Sequence, residues 1–251
     1  MFNLNNKLAL ITGSSRGLGL SFARGLGKAG ARVILNGRNI ETLKTASINL
    51  AEEGIQTHIS VFDVCDEGAI IAEIGRIEEN IGGIDILVNN AGLNSRHKME
   101  EFPLDRWQEV IDINLTGAFL VAREVSKGMI KRKHGKIINI CSMMSELGRQ
   151  TTSAYAAAKG GLKMLTKAMT VEWAKYNIQA NGIGPGYFLT EMTTPLKEDP
   201  DFDKWITDRT PANRWGEPEE LLGTVVYLAS DASNFVNGQI IYVDGGLLAS
   251  L

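Results

Sequence analysis

The chain has 251 residues, 44% of them apolar and 22% charged, with a net charge of −3. That length can bury a large core, in one large α/β domain or in two small ones. Acids and bases are interspersed, so no basic block marks a nucleic-acid partner and no acidic tail marks a solvating arm.

Short apolar runs alternate with helical stretches, which predicts βαβ units around a parallel sheet. Leu8–Thr12 reads as a strand and Gly17–Ala29 as a helix stopped by Gly30. Arg32–Asn36 is a second strand. Asn39 can cap a helix that runs to Glu53 and stops at Gly54. His58–Phe62 and Ile84–Val88 are further strands, separated by a helix over Glu67–Ile81. One or two helices follow Pro103 and reach about Lys133. Lys136–Ile140 is a strand, Tyr155–Lys175 a long helix, and Ile178–Ile183 a strand. Glu217–Ala229 is helical and Gln239–Val243 is the last strand.

No repeat or linker divides the chain, so one domain over residues 1–251 is expected. The irregular stretch is about 191–217, with Pro195, Pro200 and Pro211 inside it and Pro218 just beyond. A long insert near the C-terminal ends of the strands suits a lid over a substrate site. Cys65 and Cys141 are far apart and fit neither a disulfide framework nor a zinc site. Met1–Lys7 lacks a basic then apolar leader, and no apolar run is long enough to span a bilayer. A reducing cytoplasm is the expected setting.

The stretch Thr12-Gly-Ser-Ser-Arg-Gly-Leu-Gly19 joins the first strand to the first helix. Gly13 permits a tight turn, Gly17 lets backbone approach a pyrophosphate, and Gly19 lets helix and strand pack closely. The helix then offers free N–H groups and its positive dipole end to phosphate. The spacing is G-x-x-x-G-x-G rather than G-x-G-x-x-G, but placement between strand and helix is the context the motif needs. The second strand ends Leu35-Asn-Gly-Arg-Asn39, without the carboxylate that would hold a ribose 2′-hydroxyl. Arg38, with Arg16 in the glycine loop, suits a 2′-phosphate instead, so NADP is expected over NAD.

Tyr155 and Lys159 are four residues apart, which puts both on one helix face, one turn apart. An ammonium beside a phenol lowers the phenol pKa and lets it move a proton near neutrality. Ser142, thirteen residues upstream of Tyr155, adds a neutral donor for the oxygen that changes charge. Cys141 reads as a small buried thiol, because no histidine partners it. His58, His97 and His134 are scattered, and no His, Cys and carboxylate cluster has metal spacing.

These residues resemble the short-chain dehydrogenase/reductase family over essentially the whole chain. The glycine loop matches at Thr12, Gly13, Gly17 and Gly19, and the N-N-A-G motif at Asn89-Asn-Ala-Gly92. The family's asparagine falls on Asn114, its catalytic serine, tyrosine and lysine on Ser142, Tyr155 and Lys159, and its C-terminal V-D-G-G on Val243–Gly246. The resemblance implies a single doubly wound Rossmann domain with a mostly parallel seven-stranded sheet and a helical lid after strand six. It implies that NADP(H) meets Gly13, Ser15, Arg16, Gly17, Leu18, Gly19, Arg38, Asp63, Val64, Asn90, Ala91, Gly92, Tyr155, Lys159, Pro185, Gly186 and Thr190. Asp63 would sit on the adenine side and Thr190 at the nicotinamide carboxamide.

The implied reaction is hydride transfer to or from a carbonyl carbon. Tyr155 would exchange the proton, Lys159 would lower its pKa and hold the ribose, Ser142 would bond the substrate oxygen, and Asn114 would anchor a relay water. The stretches Ile138–Arg149, Gly186–Met192, Arg209–Gly216 and Phe235–Gln239 resemble the branch of the family that interconverts gluconate and 5-ketogluconate. A sugar acid needs a cation for its carboxylate and polar partners for its hydroxyls. Arg96 and Arg149 are expected to supply the first, and Glu146 and Gln150 the second, beside Ser142 and Tyr155. Leu93–His97 and Gln150–Ser153 depart from the pattern and would line the pocket, which keeps other carbonyl substrates open, a deoxy-keto-sugar acid or a 3-oxoacyl thioester. A silent NADP-binding protein is the remaining reading, opposed by the intact Ser142, Tyr155 and Lys159. Small residues at Ala154, Ala156, Ala157, Ala158, Gly160 and Gly161 permit close helix approach. The resemblance implies a homotetramer through the two central helices and the last strand.

Overall fold

The computed structural model describes residues 1–191 and 193–250. Met192, within the expected lid, and Leu251, at the end of the expected domain, lie outside the described residues. Seven parallel strands form one sheet: β1 Leu8–Ile11, β2 Arg32–Gly37, β3 Thr57–Val61, β4 Ile86–Asn89, β5 Gly135–Ile140, β6 Ile178–Pro185 and β7 Ile240–Val243. Their spatial order is β3-β2-β1-β4-β5-β6-β7. The strands are apolar almost throughout because helices cover both faces; every residue of β1, β4, β5 and β6 is buried.

Helices α1 Gly17–Lys28, α2 Ile40–Glu52 and α9 Leu222–Ala229 pack one face of the sheet, through Phe22, Leu26, Leu43, Leu50, Val225 and Leu228. Helices α3 Glu67–Asn80, α5 Gly117–Arg132 and α6 Ser153–Trp173 pack the other, through Ile70, Ile74, Ile77, Val121, Val125 and Met169. Phe22 is fully buried, and its loss to alanine would cost about 3–5 kcal/mol. The cap expected at Asn39 forms: its side chain accepts from the amides of Glu41 and Thr42 at 2.8 and 3.3 Å. Such a cap contributes about 1 kcal/mol.

The stretch after Pro103 is two helices, α4 Leu104–Ile111 and α5, joined by a π turn over Asp112–Thr116. Sequence periodicity carries no sign of that turn. Its extra residue is held by Asn114, whose Nδ2 donates to the carbonyls of Val110 and Leu93 at 2.9 and 2.8 Å. A buried polar chain crosses the sheet to α6. Asn89 Nδ2 donates to Asn139 Oδ1 at 2.9 Å, and Asn139 Nδ2 donates to Thr166 Oγ1 at 2.9 Å.

The proline-rich stretch contains two helices, α7 Thr194–Lys197 and α8 Pro200–Arg209. Pro200 occupies the first turn, where its missing N–H costs nothing, and Asp199 caps it. The stretch leaves and rejoins the body at one place, a parallel bridge between Phe188 and Gly216. Ile206, Trp215, Leu196 and Phe202 pack it on Met143, Leu147 and Leu247.

Candidate active site

A cleft of about 720 Å³ opens at the C-terminal ends of the strands. It lies where the strand order reverses, between β1 and β4, the usual ligand crevice of such a sheet. Its walls include Gly13, Ser15, Arg16, Gly17, Leu18, Gly19, Arg38, Asp63, Val64, Asn90, Ala91, Gly92, Pro185, Gly186 and Thr190. Asn114, Ser142, Tyr155 and Lys159 line the same cleft.

The turn after β1 is built by backbone contacts. Gly13 has φ +61, and a Cβ there would lie 2.9 Å from the Ala91 Cα. At Gly19 a Cβ would lie 2.4 Å from the Gly13 carbonyl oxygen and 2.5 Å from Asn90 Nδ2. Asn90 fastens the turn by donating to the carbonyls of Thr12 and Gly13 at 2.9 and 3.0 Å. Thr12 Oγ1 accepts from the amides of Asn90 and Ala91 at 2.9 and 3.0 Å. Asn36, which sequence reasoning passed over, accepts from the Gly13 amide at 3.3 Å and donates to the carbonyls of Ser60 and Phe62. No side chain caps the start of α1, and no acid stands in its first turn. Its free N–H groups face the cleft, as a pyrophosphate requires.

Arg38 and Arg16 flank this end, both mostly exposed. Arg38 Nη1 lies 3.6 Å from Asp63, and Arg16 Nη1 lies 3.4 Å from Glu191. Exposed pairs of this kind are worth about 0–1 kcal/mol, so either guanidinium can turn to an incoming phosphate. Glycine turn, open helix start and paired cations fit a phosphorylated dinucleotide.

Across the cleft, Lys159 is buried and donates to the Ile140 carbonyl at 2.7 Å. Its Nζ stands 5.5 Å from the centre of the Tyr155 ring. Burial pulls the Lys159 ammonium down to about 8. Burial pushes the Tyr155 phenol up to about 12, opposed by the nearby Ser142 hydroxyl. The expected lowering of Tyr155 by Lys159 is not seen: the phenol is raised, and the ammonium is turned to the Ile140 carbonyl. Ser142 Oγ accepts from the Met144 amide at 3.1 Å and caps the short turn Met143–Ser145. Asn114 is buried, and its Oδ1 has no partner among the described residues, an acceptor free for a small donor such as water.

Of the expected substrate residues, Ser142 and Tyr155 line the cleft, whereas Arg96, Glu146, Arg149 and Gln150 are not among its lining residues. Arg96 and Arg149 come together because the His97 amide donates to the Thr151 carbonyl at 3.2 Å, joining their two loops. Burial first, then the Arg149 guanidinium, pull Arg96 below its ordinary range. Neither arginine meets a carboxylate among the described residues. Arg149 lies 5.2 Å over the Phe202 ring and donates to the Tyr187 hydroxyl at 2.5 Å. Tyr187 carried no sequence signal beyond its place in the Pro185–Thr190 loop. Gln150 lies exposed on a turn. Glu146 is not brought to the cleft: Lys163 and Tyr242 hold it on the far side of its loop, at 2.6 and 2.7 Å. Among the described residues no group of three or more His, Cys, Asp or Glu could hold a metal ion.

A family model described as enoyl-(acyl carrier protein) reductase matches residues 13–248. The chain is 52% identical to 5-keto-D-gluconate 5-reductase of Escherichia coli (strain K12), covering 100% of this chain and 99% of that one. It is 50% identical to 2-dehydro-3-deoxy-D-gluconate 5-dehydrogenase of Formosa agariphila, covering 100% and 96%. A solved gluconate 5-dehydrogenase from Burkholderia cenocepacia J2315, in complex with NADP and tartrate, superposes with a TM-score of 0.98 at 50% identity, covering 100% and 98%.

Proposed function

The chain belongs to the short-chain dehydrogenase/reductase family, and from that premise we propose an NADP-dependent oxidoreductase that interconverts D-gluconate and 5-keto-D-gluconate. One observation carries the reading: Ser142, Tyr155 and Lys159 face the glycine turn across a single cleft. NADP(H), when bound, supplies or takes the hydride. Gly13, Ser15, Gly17, Leu18 and Gly19 would hold its pyrophosphate end, with Arg16 and Arg38 on the 2′-phosphate. Asp63 and Val64 would flank the adenine, Asn90, Ala91 and Gly92 the middle of the cofactor, and Pro185, Gly186 and Thr190 the nicotinamide.

In the reducing direction the Tyr155 phenol, protonated at neutral pH, gives its proton to the substrate oxygen. Ser142 donates a hydrogen bond to the same oxygen as its negative charge develops. Lys159, poised near 8, stabilises the tyrosinate and passes a proton back, and the free Oδ1 of Asn114 seats the water that completes the path. Oxidation runs the same steps in reverse. Arg96 and Arg149 take the carboxylate, and the unneutralised pair supports this, because it leaves two cations on the loops that continue from Leu93 and Ser142 of the cleft wall. The stretch 191–217, closed at the Phe188–Gly216 bridge, acts as the lid of one domain.

A second reading has a specific observation behind it. The Formosa agariphila relative, named for a deoxy-keto-sugar acid, is 50% identical, within the 48–52% range of the gluconate enzymes. A substrate panel with both cofactors, followed by nicotinamide absorbance, separates the two. Turnover of 2-dehydro-3-deoxy-D-gluconate with none of gluconate or 5-ketogluconate would replace the first reading by the second.

The enzyme assembles as a homotetramer. Phe119 on α5, Met164 and Val171 on α6 and the open edge of β7 support that reading. A monomer by light scattering at micromolar concentration would defeat it. Two free cysteines and a diffusible nicotinamide cofactor fit the cytoplasm.

A further inference from the structure

The loop after β5 carries Ser142, and α6 carries Tyr155 and Lys159, so catalysis depends on how loop and helix are fastened together. Two adjacent loop residues make that joint. Ser145 Oγ donates to the Lys159 carbonyl at 2.9 Å and accepts from the Ser142 amide at 3.3 Å. Glu146 accepts from Lys163 Nζ with both carboxylate oxygens at 2.6 Å, one helical turn beyond Lys159. The Tyr242 hydroxyl of β7 donates to Glu146 Oε1 at 2.7 Å. Lys163 first, and Tyr242 second, hold the Glu146 carboxyl below its ordinary range, so it is a carboxylate throughout the neutral region.

We propose that Glu146 is a positioning residue, a strut that ties the Ser142 loop to α6 and to the sheet edge and so sets the distance between the Ser142 hydroxyl and the Tyr155 phenol. Glu146 closes the Met143–Ser145 turn, and its amide donates to the Met143 carbonyl at 3.0 Å. Met143 is buried against the 194–215 stretch, so that side of the loop has a fixed seat. The other side is held by Ser145 and by the Glu146–Lys163–Tyr242 contacts. Removing the carboxylate leaves the Ser142 loop fastened to α6 through the Ser145 hydroxyl and the Ser142–Tyr155 contact. Glu146 then acts on rate and not on substrate binding, the reverse of the hydroxyl-binding role its position in the sequence suggests.

The proposal rests on the oxidoreductase reading, and its test separates the two. In the full-length enzyme, kcat and KM are measured for the sugar acid, and NADPH affinity by fluorescence titration. Glu146→Gln is expected to lower kcat by about tenfold or more, since small misplacements of reacting groups cost that much. KM for the sugar acid and NADPH affinity stay near wild type. Lys163→Met reproduces the loss, and combining it with Glu146→Gln adds nothing further, as expected of one coupled pair. Lys163→Arg retains activity, and the swapped double variant Glu146→Lys with Lys163→Glu recovers part of it. Amide exchange at Met144 and Ser145 becomes faster in Glu146→Gln, a readout that needs no turnover.

A raised KM at unchanged kcat would make Glu146 a substrate ligand and overturn the proposal. So would wild-type kcat in Glu146→Gln, or unchanged exchange at Met144 and Ser145. Failure of the wild-type enzyme to turn over any sugar acid counts against the functional reading instead, while the exchange measurement still decides the strut.

Discussion

Two regions are made differently: the glycine turn, which lines the cleft, and the cluster of Tyr187, Phe202 and Trp215, which does not. On the cofactor side, backbone touches backbone: Gly13 meets Ala91, Gly19 meets the Gly13 carbonyl, and Asn90 and Thr12 fasten the turn. In the aromatic cluster, side chains meet side chains: Arg149 rests on Phe202 and Tyr187, and Trp215 Nε1 donates to Asp203 at 2.7 Å. Backbone packing leaves no room for another residue type, so it writes a strict spacing into the chain. A wall of aromatic rings and guanidinium groups can be rebuilt by many substitutions. The glycine turn is therefore fixed more firmly than the aromatic cluster.

The largest expected effect falls in the cleft. Tyr155→Phe should lower kcat by about 10²–10⁴-fold while NADPH titrations stay near wild type. Unchanged turnover would remove Tyr155 from the chemistry. Arg149→Ala should raise KM for the sugar acid by about ten- to a hundredfold, the worth of a charged hydrogen bond, with melting temperature little altered. A large fall in melting temperature would show that this arginine is structural and blur the contrast between the two regions. Gly19→Ala should do the opposite. The added Cβ has nowhere to go, and about 1–3 kcal/mol of stability should be lost together with NADPH binding, read by calorimetry and titration. A stable Gly19→Ala enzyme that binds NADPH normally would contradict the backbone account.

Arg38→Ala should weaken NADPH binding by about fivefold, the worth of about 1 kcal/mol at an exposed site, and NADH much less. Equal losses for both would defeat the 2′-phosphate assignment. The gentlest effect is on pH. Lys159 gives up its proton near 8, so the relay loses its proton store above that pH. Reductive kcat should fall, and oxidative kcat rise, as pH passes through about 8. The same shift has a stability sign. Between about 8 and 10.5 the unfolded lysine still binds a proton that the folded one has released, so this group's contribution to stability grows with pH across that window.

Much of this was legible because it is local or periodic. The strands announce themselves as apolar runs, and Asn39 caps its helix through amides two and three residues on. The glycine turn is legible because backbone contact admits no side chain at Gly13 or Gly19. Other features depend on partners remote in sequence. Glu146 reads as a pocket residue because it follows Ser142, yet Tyr242 lies 96 residues away and turns it elsewhere. Asn36 looks like an ordinary strand residue until β3 and the Gly13 amide are beside it. Spacing puts Tyr155 and Lys159 on one helix face, but it does not reveal that Lys159 is buried and turned to the Ile140 carbonyl.

The π turn at Asp112–Thr116 has a consequence for chain length. It stores one residue more than an α-helical turn would hold. Deleting a single residue there would let α4 and α5 merge into a continuous helix with every hydrogen bond made, at little apparent cost to the rod itself. It would also swing one side of the junction by about 100° relative to the other, one residue's share of a helical turn. Asn114 would leave the cleft, or α5 would lose its seat on the sheet. In this short stretch the protein cannot absorb a gap, although the helix itself could.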